Sequence, residues 1–151
     1  METGYGSQER AAQRQSALAR LCETFQVEIL YAFGSRADQA RAWMEGTLFS
    51  FPSDRSDLDI GIKPAQGQLL SVQDKARLAI ALEDLFQVGR VDLVSMEDAD
   101  PFLAANIVRG ERLYARDEEE ADEYDLYSLR RAGDLAPLER ERIALILGGS
   151  P

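Results

Sequence analysis

Three aspartates carry the chemistry that this sequence is able to do. Asp57 and Asp59 lie in Ser56-Asp57-Leu58-Asp59, and Asp92 lies in Arg90-Val91-Asp92-Leu93-Val94. Residues i and i+2 of a strand leave the same face, so Asp57 and Asp59 would emerge side by side. Two close carboxylates resist joint ionisation unless a cation sits between them. A third strand-borne aspartate completes a hard-oxygen set of the kind that Mg²⁺ takes beside a phosphate chain. Upstream, Gly34-Ser35 follows the apolar run Val27–Phe33. Glycine allows close backbone approach and positive φ, and the turn can offer backbone N–H groups and the Ser35 hydroxyl to phosphate. The reaction such a set serves is metal-dependent nucleotidyl transfer, where positioning and electrostatics supply most of the catalysis. Asp57 and Asp59 are the expected shared metal ligands. Asp92 is expected to bind the catalytic metal and to help deprotonate the incoming hydroxyl. Arg36 and Lys63 are candidate phosphate contacts, with solvated surface charge as the plainer alternative.

Strands must hold these residues, and the pattern provides them. Val27–Phe33 is rich in β-branched and aromatic residues; Leu58–Lys63 alternates and is closed by Pro64; Val91–Val94 is a third short strand; and Arg112–Ala115 is a fourth candidate. Between them lie helical patterns at Gln8–Phe25, Ala37–Glu45 and Leu69–Phe86, and from Pro101 to Val108 with proline at an early helical position. Asp117–Arg131 reads as a C-terminal helix that Pro137 interrupts, with Leu138–Leu147 as a last short helix. Met1–Ser7 reads as loose and flexible. Strands alternating with helices give an α/β (α+β) class: a small mixed, twisted sheet with helices packed mainly on one face and a helical C-terminal extension. We expect one domain over 1–151, with a catalytic core at 25–115 and the extension at 116–151.

Composition narrows the function. The chain has 151 residues, with 17 basic against 27 acidic and a formal net charge of −10. That argues against a general nucleic-acid binder, whose affinity comes largely from Lys and Arg on phosphates. A nucleotide substrate remains compatible, because metal ions offset carboxylates locally. There is no histidine, which removes histidine-based zinc sites, serine–histidine triads and histidine general bases. The single cysteine, Cys22, excludes an intrachain disulfide and lies in an apolar-periodic segment, as a buried thiol would. No apolar run is long enough to span a bilayer, and the start of the chain lacks an apolar signal region. The expected location is the cytoplasm, without membrane attachment.

The stretches Ala32-Phe33-Gly34-Ser35-Arg36-Ala37, Ser56-Asp57-Leu58-Asp59-Ile60 and Val91-Asp92-Leu93-Val94 resemble the minimal nucleotidyltransferases of the polymerase-β-like superfamily. Within it the chain is most similar to antitoxins of two-gene modules whose partner is a HEPN-domain ribonuclease toxin. The run Ile107-Val108-Arg109-Gly110-Glu111-Arg112-Leu113-Tyr114, followed by an acidic segment, carries the same likeness. The resemblance spans roughly Phe25 to Tyr127. It implies a nucleotidyltransferase fold and Mg²⁺-dependent transfer of AMP from ATP to a tyrosine of the cognate HEPN toxin, in a hetero-oligomer with that toxin. It implies that Gly34 and Ser35 hold the triphosphate, with Arg36 beside them. It also implies that Asp57 and Asp59 bind Mg²⁺ and that Asp92 takes the third carboxylate position.

The chain departs from the family pattern in the longer stretch between Ser35 and Asp57, which carries Trp43, Leu48, Phe49 and Phe51 within 39–52. This is either a surface loop over the core or a partner-binding element, since exposed aromatic clusters often mark interfaces. The run Asp117-Glu118-Glu119-Glu120 with Asp122, Glu123 and Asp125 is either a solvated helix face or a dock for a basic toxin. Two other functions stay open: adenylylation of a small-molecule hydroxyl, and neutralisation of the toxin by binding alone. Residues 116–151 are short for the acceptor domain the former usually carries.

Overall fold

The computed structural model describes residues 4–52 and 57–147. Among them the chain runs α1 (Gly4–Phe25), β1 (Val27–Phe33), α2 (Ala37–Met44), β2 (Leu58–Pro64), α3 (Val72–Phe86), β3 (Val91–Ser95), α4 (Pro101–Val108), β4 (Glu111–Ala115) and α5 (Glu118–Ile146). Short 3-10 turns occupy Gly34–Arg36 and Met96–Asp98. The strands form one mixed sheet in the order β3-β2-β1-β4. β1 is antiparallel to both β2 and β4, while β2 and β3 are parallel and joined through α3.

The two-residue period of the strands sorts the sequence into two faces. Leu30 and Ala32 of β1, with Leu58, Ile60 and Ile62 of β2, pack against Leu18 and Cys22 of α1, Trp43 of α2, and Leu78, Leu82 and Phe86 of α3. Ile29, Tyr31 and Phe33 face the other way, against Ala104 and Ile107 of α4 and Ala121 of α5. Three helices therefore cover one face and two the other. Gly61 lets α4 approach closely, since a Cβ there would meet Ile107 Cγ2 at 2.5 Å. Burial pushes the Cys22 thiol pKa up, as expected of an inert core residue.

Several boundaries differ from the sequence expectation. Residues 4–7 are helical rather than loose, because the insertion clamps them. Arg10 donates to the Gly46 carbonyl at 2.8 Å, and a Cβ on Gly46 would lie 2.0 Å from the Ser7 carbonyl oxygen. Residues 1–3 lie outside the described residues. α3 starts at Val72, not Leu69, because the Ser71 side chain caps it by accepting from Asp74 N–H. Leu69 is 87% exposed and Val72 80%, so this end of the predicted apolar stripe is not core. α5 runs unbroken through Pro137. The proline cannot donate to Gly133, but both residues are exposed, and water can satisfy that carbonyl.

The 39–52 insertion belongs to the core. Trp43 and Phe51 are buried and contact each other, and Phe51 meets Phe86 edge-on. Arg14 donates to the carbonyls of Trp43 and Leu48 at 2.7 and 2.9 Å, and its guanidinium lies over the Trp43 ring. Only Phe49 of the aromatic set is turned out, 71% exposed. The loop-over-core reading therefore holds for this segment. Phe51→Ala should lower the free energy of unfolding by about 3 kcal/mol, and Phe49→Ala by less than about 0.5 kcal/mol, as read by urea denaturation. Equal costs would contradict the packing described.

Candidate active site

The site forms where three strand ends meet. Asp59 pairs laterally with Asp92 across the parallel β2–β3 register, and Phe33, the last residue of β1, pairs with Asp59 from the other side. Gly34 follows at once, so the Gly-Ser turn and the carboxylates share one end of the sheet. Leu58, Ile60 and Val91 are fixed in the core beneath. Alternation then sends Asp57, Asp59 and Asp92 to the face carrying α4 and α5. At this end Asp59 is half-buried and Asp92 exposed.

Close approach at this corner requires glycine. Gly34 has φ +77°, and a Cβ there would lie 2.5 Å from Asp59 Oδ2. Ser35 is exposed, and the turn runs directly into α2, with Ala37 N–H donating to the Gly34 carbonyl. Ser56 lies outside the described residues, as do 53–55.

The carboxylates of this corner crowd one another. Burial raises the Asp59 carboxyl pKa above its ordinary range, and the charges of Asp92 and then Asp57 raise it further. Asp57 is partly offset by Arg90, 3.5 Å away. The donors are carboxylates alone, which suits Mg²⁺ and disfavours soft metals. Among the described residues no three potential ligands are drawn together into a finished metal cage. Such an open set still fits Mg²⁺, which normally keeps water and substrate phosphate among its ligands.

Both candidate basic contacts have partners within the protein. Arg36 is 4% exposed. It donates to the Pro52 carbonyl at 2.5 Å and to Gln39 at 3.0 Å, and its guanidinium lies over the Phe51 ring. Its side chain is thus turned into the insertion. Lys63 sits four residues along β2 from Asp59, about 13 Å at strand rise, and is paired with Glu28 at 2.7 Å. Sequence reasoning missed Arg90 as the partner of Asp57, and it missed the α4–β4 corner, where Asn106 and Arg109 line a cavity with Gly34. The signal available was Gly110, where a Cβ would lie 2.4 Å from the Ala32 carbonyl oxygen and would force that corner off the end of β1. A separate groove of about 510 Å³ between α1 and α3 is remote from the carboxylates.

The raised Asp59 pKa makes a stability prediction. The native protein holds more protons than the unfolded chain between the ordinary carboxylate pKa, about 3.9, and the raised value. The stability linked to Asp59 is therefore lost as pH rises through that window. Without metal, Asp59→Asn should melt about 2 °C or more above wild type at pH 7, with a smaller gap at pH 4. A gap independent of pH would show that ionisation of Asp59 is not the cause.

The chain matches the family described as Polymerase beta, Nucleotidyltransferase over residues 17–119. No curated protein matches it. Among solved structures it is similar to a chain of a toxin–antitoxin complex with AMP-PNP, at 18% identity and TM-score 0.65, covering 88% of this chain and 98% of that one. It is also similar to a chain of the tri-AMPylated Shewanella oneidensis HEPN toxin in complex with MNT antitoxin, at 16% identity and TM-score 0.62, covering 91% and 98%. A chain of the toxin–antitoxin MntA-HepT matches at 16% identity and TM-score 0.62, covering 90% and 98%. At these identities the likeness is one of fold, but the family match spans most of the sequence and includes Gly34, Asp57, Asp59 and Asp92. The chain belongs to the polymerase-β nucleotidyltransferase family.

Proposed function

We propose that this chain is a Mg²⁺-dependent antitoxin that moves AMP from ATP to a tyrosine hydroxyl of a cognate HEPN ribonuclease toxin, and so neutralises it. The observation that carries the reading is the lateral pairing of Asp59 with Asp92 beside the Gly34 turn. The fold shared with chains of toxin–antitoxin complexes, one of them holding a tri-AMPylated HEPN toxin, supports a protein acceptor. The open end of the sheet also suits an acceptor brought by another protein. Under this reading the chain works in the cytoplasm, as a hetero-oligomer with its toxin.

Each residue has a role. Gly34 and Ser35 bind the triphosphate of ATP, and Asp57, Asp59 and Asp92 hold the metal. Bound Mg²⁺ would neutralise charge on the phosphate oxygens. Asp92 accepts the proton of the acceptor hydroxyl, whose oxygen forms a bond to the α-phosphorus. The bond from that phosphorus to the α–β bridging oxygen breaks, and pyrophosphate leaves with the electron pair. Arg36 braces the turn against the insertion without touching phosphate. Glu119, Glu120 and Glu123, exposed on α5, favour encounter with a basic partner.

The test is the intact mass of the co-expressed partner after incubation with this chain, ATP and Mg²⁺. We expect a gain of one or more AMP units, absent with Asp57→Asn/Asp59→Asn. A partner silenced in a stable complex with unchanged mass would replace this reading with neutralisation by binding. No mass change and no complex would point to a small-molecule acceptor. Gly34→Ala should reduce transfer by about 100-fold or more while the chain stays folded, because its Cβ would strike the Asp59 carboxylate and its φ is strained. Near-normal transfer by that variant would contradict the role of the turn.

A further inference from the structure

Gly34 borders two different environments. On one side stands the Asp59 carboxylate. On the other is a cavity of about 330 Å³ lined by Gly34, Ala37, Asp38, Asn106, Arg109 and Glu111. Glu111 is not free to act there, because it is ion-paired with Arg41. Arg109 is exposed, and no hydrogen bond or ion pair of its side chain is found among the described residues. The cavity thus presents a guanidinium with its five donors uncommitted, beside the Asn106 amide. Asp38 is the remaining charge of the lining. It favours an anion that brings its own cation over a bare one.

The strand order sets the distance. β3, β2, β1 and β4 lie side by side, so from Asp92 to the start of β4 is three strand spacings, about 14 Å. Gly34 stands between the carboxylates and the cavity and has no side chain to block the way. A phosphate chain that begins at the carboxylates and crosses Gly34 enters the cavity with its far end. A guanidinium is well matched to that end, since it recognises phosphate oxygens bidentately.

The geometry points to Arg109, with Asn106, as the residues that hold the β- and γ-phosphates and so select a nucleoside triphosphate over a monophosphate. This rests on the transferase reading above and adds a recognition element from the α4–β4 corner, outside the Gly-Ser turn and the three aspartates. Arg109 would also meet the negative charge that gathers on pyrophosphate as it departs.

The experiment is calorimetric titration of the full chain, in Mg²⁺, with ATP, AMP and inorganic pyrophosphate. Wild type is compared with Arg109→Gln, Arg109→Lys and, as a control, Arg130→Gln on α5. Arg109→Gln should lose about tenfold or more in affinity for ATP and for pyrophosphate, the size of one charge-assisted contact, with AMP affinity nearly unchanged. Arg109→Lys should recover part of the loss, and Arg130→Gln should match wild type. The ratio of ATP to AMP affinity is the decisive readout, because a general structural defect would lower both. Parallel loss of ATP and AMP, or an Arg109→Gln protein that binds ATP normally, would overturn the inference and leave the transferase reading standing. Wild-type protein that binds neither ATP nor pyrophosphate would overturn both.

Discussion

The contact on which the structure turns is the placing of Asp59 beside Asp92 across the parallel β2–β3 pair. Like charges so close are unfavourable, and nothing in β2 or β3 alone would bring them together. What holds them is the other half of the strand period. Leu58, Ile60 and Ile62 are fully buried on the opposite face, and a slip of one residue would bury Asp57 and Asp59 and expose all three. The apolar face thus fixes the register, and the register fixes the charges. Burial stabilises an arrangement that electrostatics opposes, and a divalent cation with a triphosphate would turn that opposition into binding.

The rest of the fold follows from keeping this end of the sheet accessible. α1, α2 and α3 seal one face, while α4 and α5 cover the other only in part. α5 is fastened well away from the carboxylates. Arg112 of β4 meets Glu118, Asp122 and Asp125, at 2.7–2.8 Å, and Tyr31 donates to Asp125 from inside the sheet at 2.5 Å. The acidic run is therefore divided. One part staples the helix to β4, Asp117 caps it by accepting from Glu120 N–H, and Glu119, Glu120 and Glu123 are exposed without a part in either. The insertion is fastened in a similar way by Arg10, Arg14 and Arg36, whose guanidinium groups reach its carbonyl oxygens.

Much of this was legible in the sequence because it depends on short-range periodicity. Asp57-Leu58-Asp59 and Val91-Asp92-Leu93 announce both their strands and the face each aspartate takes. Gly34 is required by a local φ and by a neighbour that the motif itself supplies. Legibility failed where long-range contacts decide. That Arg36 would meet Pro52 and Phe51 across the insertion was not visible from its place after Gly-Ser. Leu69 and Val72 continue an apolar stripe, yet the Ser71 cap leaves them in water. Pro137 signals a break, but exposed Gly133 leaves the unmatched carbonyl to solvent. The α4–β4 corner could not be placed from spacing alone, because what brings Arg109 near Gly34 is the antiparallel pairing of β1 with β4.

The most direct measurement is a carboxyl ¹³C NMR titration of Asp59 in the metal-free protein, repeated with Mg²⁺ and a non-hydrolysable ATP analogue. A midpoint above the ordinary aspartate value of about 3.9 is expected without metal, falling well below it when metal and nucleotide bind. A midpoint at the ordinary value in both states would mean that Asp59 neither feels Asp92 nor meets the cation, and would contradict the assignment of this corner as the active site.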